Sequence, residues 1–466
     1  MGLTLLSRRS GRAESLPSGE GTRVGKRPAS FSNECAVTTG QNPGAAPAST
    51  VTLERIVAAR DAIAGDVRVT PMWPSASLSA QFGVPIFFKC EQMQLTGSFK
   101  IRGASNFVSQ MDAQAAARGV VAASAGNHAQ GIALAGSRRG ISVVVVMPET
   151  APLAKVTACR EYGARVVLAG TSLEEARAEA MKIASGEGRI YVPPFDDDAV
   201  IAGQGTVGLE ILDQCPEVCE VLVPAGGGGL LGGIACAIKT TRPEVRITGV
   251  QAAAMDGICR SLANHRATSA PAARTIADGV AVAGPSDRTF SLIERFVDEV
   301  ISVHDDAIAH AIVTLIEKSK VIVEGAGALA VAALQSGAYT PAGPTVLVLS
   351  GGNIDINLLG SIVRRGLADA GRYQHLSVEV SDTPGELALV SSAIAAAGGN
   401  ILEVDHNREV PGMPVGVAVL DLLLEVNGQP HFEEIVQSLR DRGMRGVPGI
   451  GARLATSDAQ RRHDQA

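Results

Sequence analysis

Lys100 stands in the run Leu95-Thr96-Gly97-Ser98-Phe99-Lys100-Ile101-Arg102-Gly103, beside an aromatic side chain and downstream of the apolar segment Pro85–Lys89. An ε-amine desolvated in such a setting gives up its proton more easily and can attack a carbonyl to form a Schiff base. Taken alone, a lysine in a turn is a solvated charge, so the chemistry depends on what accompanies it. Three further glycine-bearing loops follow apolar runs. Ser124-Ala125-Gly126-Asn127-His128-Ala129 comes after Val120–Ala123 and offers a helix start whose free N–H groups can cap locally or hold a carboxylate. Pro224-Ala225-Gly226-Gly227-Gly228-Gly229-Leu230 comes after Val221–Val223, and its glycines let backbone N–H groups crowd around an anion. Ser350-Gly351-Gly352-Asn353 follows Thr345–Leu349 and is preceded in the chain by Val323-Glu324-Gly325-Ala326-Gly327-Ala328.

Gly227, Gly229 and Gly232 also satisfy GxGxxG, the fingerprint of a nicotinamide dehydrogenase, but Arg246–Val250 ends at Gln251 where that fold would carry an acidic residue. The four loops together supply an amine, a carboxylate pocket, a phosphate cradle and a hydroxyl. Those are the parts that hold pyridoxal phosphate and an amino acid.

The loops need strands to carry them. Pro85–Lys89, Gly119–Ala123, Ser142–Met147, Arg165–Ala169, Val221–Pro224, Arg246–Val250 and Thr345–Leu349 are short, aliphatic and separated by helical stretches, beginning with helix Leu53–Ala64. Continuous apolar strands between helices predict an α/β core with parallel sheets covered on both faces. After Asp369 the pattern changes. His375–Val380, Ile401–Asn407 and Val415–Val426 read as strands and Glu386–Ala397 and His431–Arg442 as helices, with Ala370-Gly371-Arg372 as the hinge to this small α+β module. The predicted organisation is a disordered tail over 1–50, a core over 51–370 with a smaller domain at roughly 91–190 inserted in a larger one, a module over 371–452, and a charged tail over 453–466.

Composition narrows the function. Lys+Arg 41 against Asp+Glu 47 gives a net charge of −6, and aromatics at 3% cannot furnish stacking platforms, so nucleic acid is not expected as a partner. The uncharged stretch Val221–Ile238 holds Pro224 and a glycine cluster, so it reads as strand, turn and helix start, and no membrane association is expected. Seven scattered cysteines without CxxC pairs predict neither disulfide framework nor metal site and suit the cytoplasm.

At the four loops, from about Val51 to Ala370, the chain resembles the threonine dehydratases (threonine ammonia-lyases) of the fold type II, tryptophan synthase β-like, pyridoxal-phosphate enzymes. The resemblance implies that Lys100 carries the cofactor as a Schiff base and acts as the catalytic base. Phe99 would pack against the pyridine ring, Asn127 would bond its hydroxyl, Gly226, Gly227, Gly228, Gly229 and Leu230 would bind the phosphate, and Ser350 would face the pyridine nitrogen. Glu324 would sit beside the cofactor, and Ser124, Asn127 and His128 would hold the substrate carboxylate. A hydroxyl at Ser350 does not keep the ring protonated as a carboxylate would, which favours elimination over transamination.

The implied reaction is deamination of L-threonine to 2-oxobutanoate and of L-serine to pyruvate. Serine dehydratase or serine racemase is the alternative within the family, and a non-catalytic amino-acid sensor the alternative outside enzymes. Serine racemases place a second serine before the glycine of the asparagine loop, where this chain has Ala125. Some relatives hold a divalent ion with carboxylates after the strand ending at Val250, where this chain reads Gln251-Ala252-Ala253-Ala254-Met255.

The C-terminal module resembles an ACT domain (βαββαβ). That implies an amino-acid effector, isoleucine or valine, bound near Asp382, Pro384, Gly385, Glu386, Asn400 and Ile401, and a homodimer or homotetramer.

Overall fold

The computed structural model describes residues 37–38 and 49–448, except 272 and 412. The expectations for the two tails fall mostly outside the described residues. Within the stretch expected to be disordered, Val37–Thr38 pair with Glu299 and Val300, and Ser49 and Thr50 hydrogen-bond Asp198, so order begins ahead of residue 51 at these points.

Fifteen strands build three sheets. β1 (Val37–Thr38), β2 (Met72–Pro74) and β3 (Ile86–Lys89) come first, then β4 (Val120–Ala123), β5 (Val143–Met147), β6 (Arg165–Leu168) and β7 (Ile190–Tyr191). β8 (Glu220–Pro224), β9 (Arg246–Ala252), β10 (Glu299–Val303) and β11 (Thr345–Val348) follow. The last four are β12 (Tyr373–Ser381), β13 (Asn400–Asn407), β14 (Val417–Glu425) and β15 (Arg445–Pro448).

A seven-stranded sheet runs β1-β10-β9-β8-β11-β3-β2, parallel except for the two edge strands. A second, fully parallel sheet runs β6-β5-β4-β7. Each has a point where the chain reverses direction across the sheet: between β8 and β11 in the first, and between β4 and β7 in the second. Crevices open at such points beyond the carboxyl ends of strands.

The inner strands β4, β5, β8 and β11 are buried along their whole length, which is why they read as largely apolar runs. In β11, Leu347 joins one core and Val346 and Val348 the other. In β5, Val143, Val145 and Met147 face one cluster and Val144 and Val146 its opposite. The predicted strands occur within a residue or two of expectation. β10 was not foreseen; Glu299 and Ser302 interrupt its apolar run.

The C-terminal module is antiparallel, ordered β13-β14-β12-β15, with helices Glu386–Ala396 and Gln429–Asp441 on one face. Leu376, Val378 and Val380 alternate inward against Val390, Ile394, Phe432 and Leu439, the period-two pattern of a half-covered sheet. Its fourth strand, β15, completes a βαββαβ order.

Candidate active site

Both switch-point crevices open into one cavity of about 300 Å³, at the small end of the range for ligand pockets. Phe99, Lys100, Ser124, Asn127, His128, Gly226, Gly227, Gly228, Gly229, Leu230, Glu324 and Ser350 all line it. The sequence-derived constellation is therefore one place in space.

Lys100 opens helix Lys100–Ser109, and its Nζ reaches across the cavity to donate to Pro194 O at 2.9 Å. Phe99 lies beneath it, with Nζ 5.2 Å from the ring centroid. Burial pushes the amine down to about 8, against the opposing charge of Glu324. Roughly a tenth to a fifth of the amine is then neutral and nucleophilic near physiological pH, far more than for an ordinary lysine. Helix Lys100–Ser109 is held by a buried charge cluster. Arg102 reaches Glu91 at 2.8 Å and Glu210 at 2.6 Å, and Lys89 bonds Glu210 at 2.5 Å. Burial alone would lower the Arg102 pKa, and Glu91 and Glu210 raise it beyond its usual value.

The glycine turn faces the lysine. Among the described residues, the backbone N–H groups of Gly226 to Leu230 donate to no protein acceptor, so five consecutive donors stand unpaired at the start of helix Gly229–Thr241. Thr289 Oγ1 holds the turn from behind by donating to Gly227 O at 2.8 Å. Phe195 presses on it from the side, where a β-carbon at Gly227 would fall 2.5 Å from its ring.

The remaining residues form a polar wall. Asn127 Nδ2 donates to Glu324 Oε1 at 2.7 Å, and Asn353 Nδ2 donates to Asn127 Oδ1 at 2.8 Å. Burial and nearby Asp278 push the Glu324 carboxyl up to about 7, against Lys155, Asn127 and Lys100. Ser124 Oγ accepts from Gly126 N at 3.1 Å, which leaves its own O–H to donate. His128 is bound through Nε2 to Val192 O at 3.0 Å. Burial and the Lys100 charge push it down to about 4, so it is neutral near pH 7 and contributes no charge to the pocket. Ser350 is buried beside Lys100's loop, and its carbonyl accepts from Phe99 N at 3.1 Å.

Several lining residues escaped the sequence reading: Pro194, Phe195, Lys155 and the Asp278–Val282 turn. Lys155 Nζ pairs with Asp278 Oδ2 at 3.1 Å, joining a helix of the smaller sheet to that turn at the cavity wall. The Pro193-Pro194-Phe195 break follows β7 directly and was the available signal, since a breaker at the end of a parallel strand marks a candidate ligand loop.

The effector residues expected in the module lie apart from this cavity. Asp382 pairs with Arg408 at 2.9 Å, Gly385 (φ +105°) opens helix Glu386–Ala396, and Asn400 Nδ2 donates to Glu425 at 3.2 Å. Pro384 is exposed, while Glu386 and Ile401 are half-buried. Gln251 is committed to backbone, bonding Met255 O and the N–H groups of Ile258 and Cys259.

A nucleophilic lysine facing a ring of unpaired N–H donors, at the carboxyl ends of parallel strands, defines an α/β enzyme built around an aldehyde-bearing, phosphorylated cofactor. A family model described as pyridoxal-phosphate dependent enzyme matches residues 63–351, and the chain belongs to that family. It is 46% identical over 386 residues to an L-threonine ammonia-lyase of Geobacter sulfurreducens, covering 83% of this chain and 96% of that one. Threonine deaminase isoform 2 of Solanum lycopersicum superposes with a TM-score of 0.65 at 34% identity, covering 71% of this chain and 92% of the other. Maize serine racemase superposes with a TM-score of 0.64 at 36% identity, covering 68% and 98%. The nicotinamide reading of Gly227–Gly232 is set aside by the family and by the lysine that the turn faces. Among the described residues no helix is long and apolar enough to cross a membrane.

Proposed function

We propose that the chain is a pyridoxal-phosphate-dependent L-threonine ammonia-lyase that converts L-threonine to 2-oxobutanoate and ammonia and also accepts L-serine, giving pyruvate. The observation that carries this is the opposition of Lys100 to the unpaired N–H groups of Gly226–Leu230 across one cavity. It is joined by the likeness to threonine ammonia-lyases of which this chain covers nearly the whole length.

The residues fit the cofactor. The N–H groups of Gly226–Leu230 would hold its phosphate, the Ser350 hydroxyl would meet the ring nitrogen, Asn127 would meet the ring hydroxyl and Phe99 would support the ring. Pyridoxal phosphate, when bound, supplies the electron sink that labilises the α-hydrogen of an amino acid. Ser124, with the N–H groups opening helix Asn127–Arg138, orients the substrate carboxylate. Lys100 Nζ, which donates to Pro194 O in the cofactor-free chain, would take the Cα proton once substrate has displaced it from the cofactor. Loss of the β-hydroxyl as water, then uptake of one water, leaves 2-oxobutanoate and ammonia in balance.

Racemisation is the second reading, favoured by the likeness to maize serine racemase. Ala125 lines the cavity without a hydroxyl, so no side chain at that position can return a proton to Cα from the face opposite Lys100.

We assign amino-acid control, by isoleucine or valine, to an ACT-like domain at residues 371–452, with the loop from Asp382 to Glu386 and Asn400–Ile401 as its ligand site. The βαββαβ order supports it, as does a match to the Geobacter relative that covers 83% of this chain. The core is taken as 51–370 with its smaller domain near 91–190, consistent with β4–β7 forming their own sheet. Leu402 and Val404 stay exposed on edge strand β13, an apolar edge that a second copy would cover in a homo-oligomer. The six described cysteines are free, which suits the cytoplasm.

The test is the rate of 2-oxobutanoate and pyruvate formation from L-threonine and L-serine, with and without isoleucine and valine. Turnover that is lost in Lys100→Ala is expected. Interconversion of L- and D-serine as fast as deamination would replace the first reading with the second.

A further inference from the structure

Asn353 follows β11 in the seven-stranded sheet, whereas Asn127 follows β4 in the other sheet. Asn353 Nδ2 nevertheless donates to both Asn127 Oδ1 and Thr96 O, each at 2.8 Å. It can come this close because Gly97 has no side chain: a β-carbon there would lie 2.3 Å from Asn353 Oδ1, and the glycine's φ of +71° is one that other residues rarely adopt. Asn353 is thereby committed. With Oδ1 against Gly97, its Nδ2 faces Asn127.

A primary amide has one acceptor end and one donor end. A donor facing Asn127 demands the oxygen of Asn127, so the nitrogen of Asn127 must point the other way. There Nδ2 gives one hydrogen to Glu324 Oε1 at 2.7 Å. The second hydrogen of Nδ2 is left for an acceptor in the cavity that Asn127 lines.

We propose that Asn353 is a positioning residue that sets the orientation of the Asn127 amide, so that Asn127 presents a donor to the bound group. The proposal rests on the cofactor reading above, because it is the oxygen of the pyridoxal ring that would accept that hydrogen. Nothing about Asn353 touches the reacting atoms; it acts through Asn127 alone.

Asn353→Asp replaces the donor by an acceptor of nearly equal size. The Asn127 oxygen then faces a carboxylate, and the amide turns over or moves away, withdrawing its hydrogen from the cavity. The full-length chain, titrated with pyridoxal phosphate and followed by its visible absorbance, is expected to bind on the order of tenfold more weakly in N353D, the cost of one misdirected buried hydrogen bond. Loss of a donor to an oxygen favours its protonated form, so the pH midpoint of the bound-cofactor band moves upward.

The deciding measurement is the same substitution in an Asn127→Ala background. There N353D should change affinity less than twofold and leave the midpoint in place, since the residue it acts through is gone. An equal loss in both backgrounds would show that Asn353 merely braces the Thr96 loop, and would overturn the proposal. So would unchanged affinity and midpoint in N353D itself. If N353D does not yield folded chain, judged by melting without cofactor, N353A read through the same cycle decides. A wild-type chain with no band, or with a band that survives Lys100→Ala, would instead sink the cofactor reading and this proposal with it.

Discussion

Phe195 and Gly227 fit face to backbone so closely that a single methyl group on the glycine would sit 2.5 Å from the aromatic ring. The glycine is thus needed for what lies beside it, whatever the turn holds in front. Gly227→Ala is expected to weaken pyridoxal-phosphate binding by more than tenfold and to lower stability by about 1–3 kcal/mol, the usual cost of overpacking. Cofactor titration and urea unfolding measure the two. Adding Phe195→Ala should recover part of the stability, because the clash then has no partner.

The amine of Lys100 is pushed down to about 8 and the nearby carboxyl of Glu324 up to about 7. Only the neutral amine attacks an aldehyde. Uptake of pyridoxal phosphate by the cofactor-free chain should therefore accelerate as pH rises and level off above about 8. The Glu324 charge raises the lysine's pKa, so Glu324→Gln should move that midpoint to lower pH. Stopped-flow absorbance at a series of pH values gives both curves; an unmoved midpoint in E324Q would contradict the pairing.

The same carboxyl makes a stability prediction with a definite sign. Its folded-state pKa, raised to about 7 from 4.5, gives wild type a contribution that is complete at low pH and is lost as pH rises through about 7. Relative to Glu324→Gln, the cofactor-free wild type should become progressively less stable between about pH 4.5 and 7, by a total on the order of 2–3 kcal/mol. The difference between the two melting curves across that range is the observable.

Arg102 is the hub of a buried cluster with Glu91, Glu210 and Lys89. Replacing it with Met leaves carboxylates out of water without their partner, so a loss of about 3–5 kcal/mol is expected in chemical unfolding. Because helix Lys100–Ser109 is anchored there, cofactor affinity should fall as well. Glu217→Gln, exposed and outside the cluster's ion pairs, should cost less than about 0.5 kcal/mol.

Truncation after Ala370, one residue beyond helix Ile356–Asp369, removes the whole C-terminal module. Threonine turnover should persist, and any response to isoleucine and valine should vanish. A truncated chain that still responds to either amino acid would place control in the core.

Much of this was legible in the sequence because buried parallel strands announce themselves: Val143–Met147 and, in β11, Val346, Leu347 and Val348 are apolar throughout since each face meets its own core. The four loops were legible for a related reason, as glycine and small polar residues at a strand's end have few other uses. What stayed hidden was pairing across long separations. Pro193-Pro194-Phe195 reads in the sequence only as a chain break, and it is the pairing of β7 with β4 that places Pro194 and Phe195 beside Lys100 and Gly227. Asn353 was visible as part of a loop, but its partner lies 226 positions away in the chain. β10 escaped because Glu299 and Ser302 break its apolar run, although the strand is central to the sheet's edge pairing.

Each parallel sheet brings one crevice to the cavity, and neither crevice is a chamber by itself. Lys100 and the asparagine loop pack with the smaller sheet, whereas the glycine turn and Ser350 belong to the larger. A fragment containing either sheet alone would hold half a wall. The span from the Lys100 amine to the Gly226–Leu230 turn is thus set by how the two sheets pack against each other, and a change in that packing would alter the site without any change of a residue that lines it.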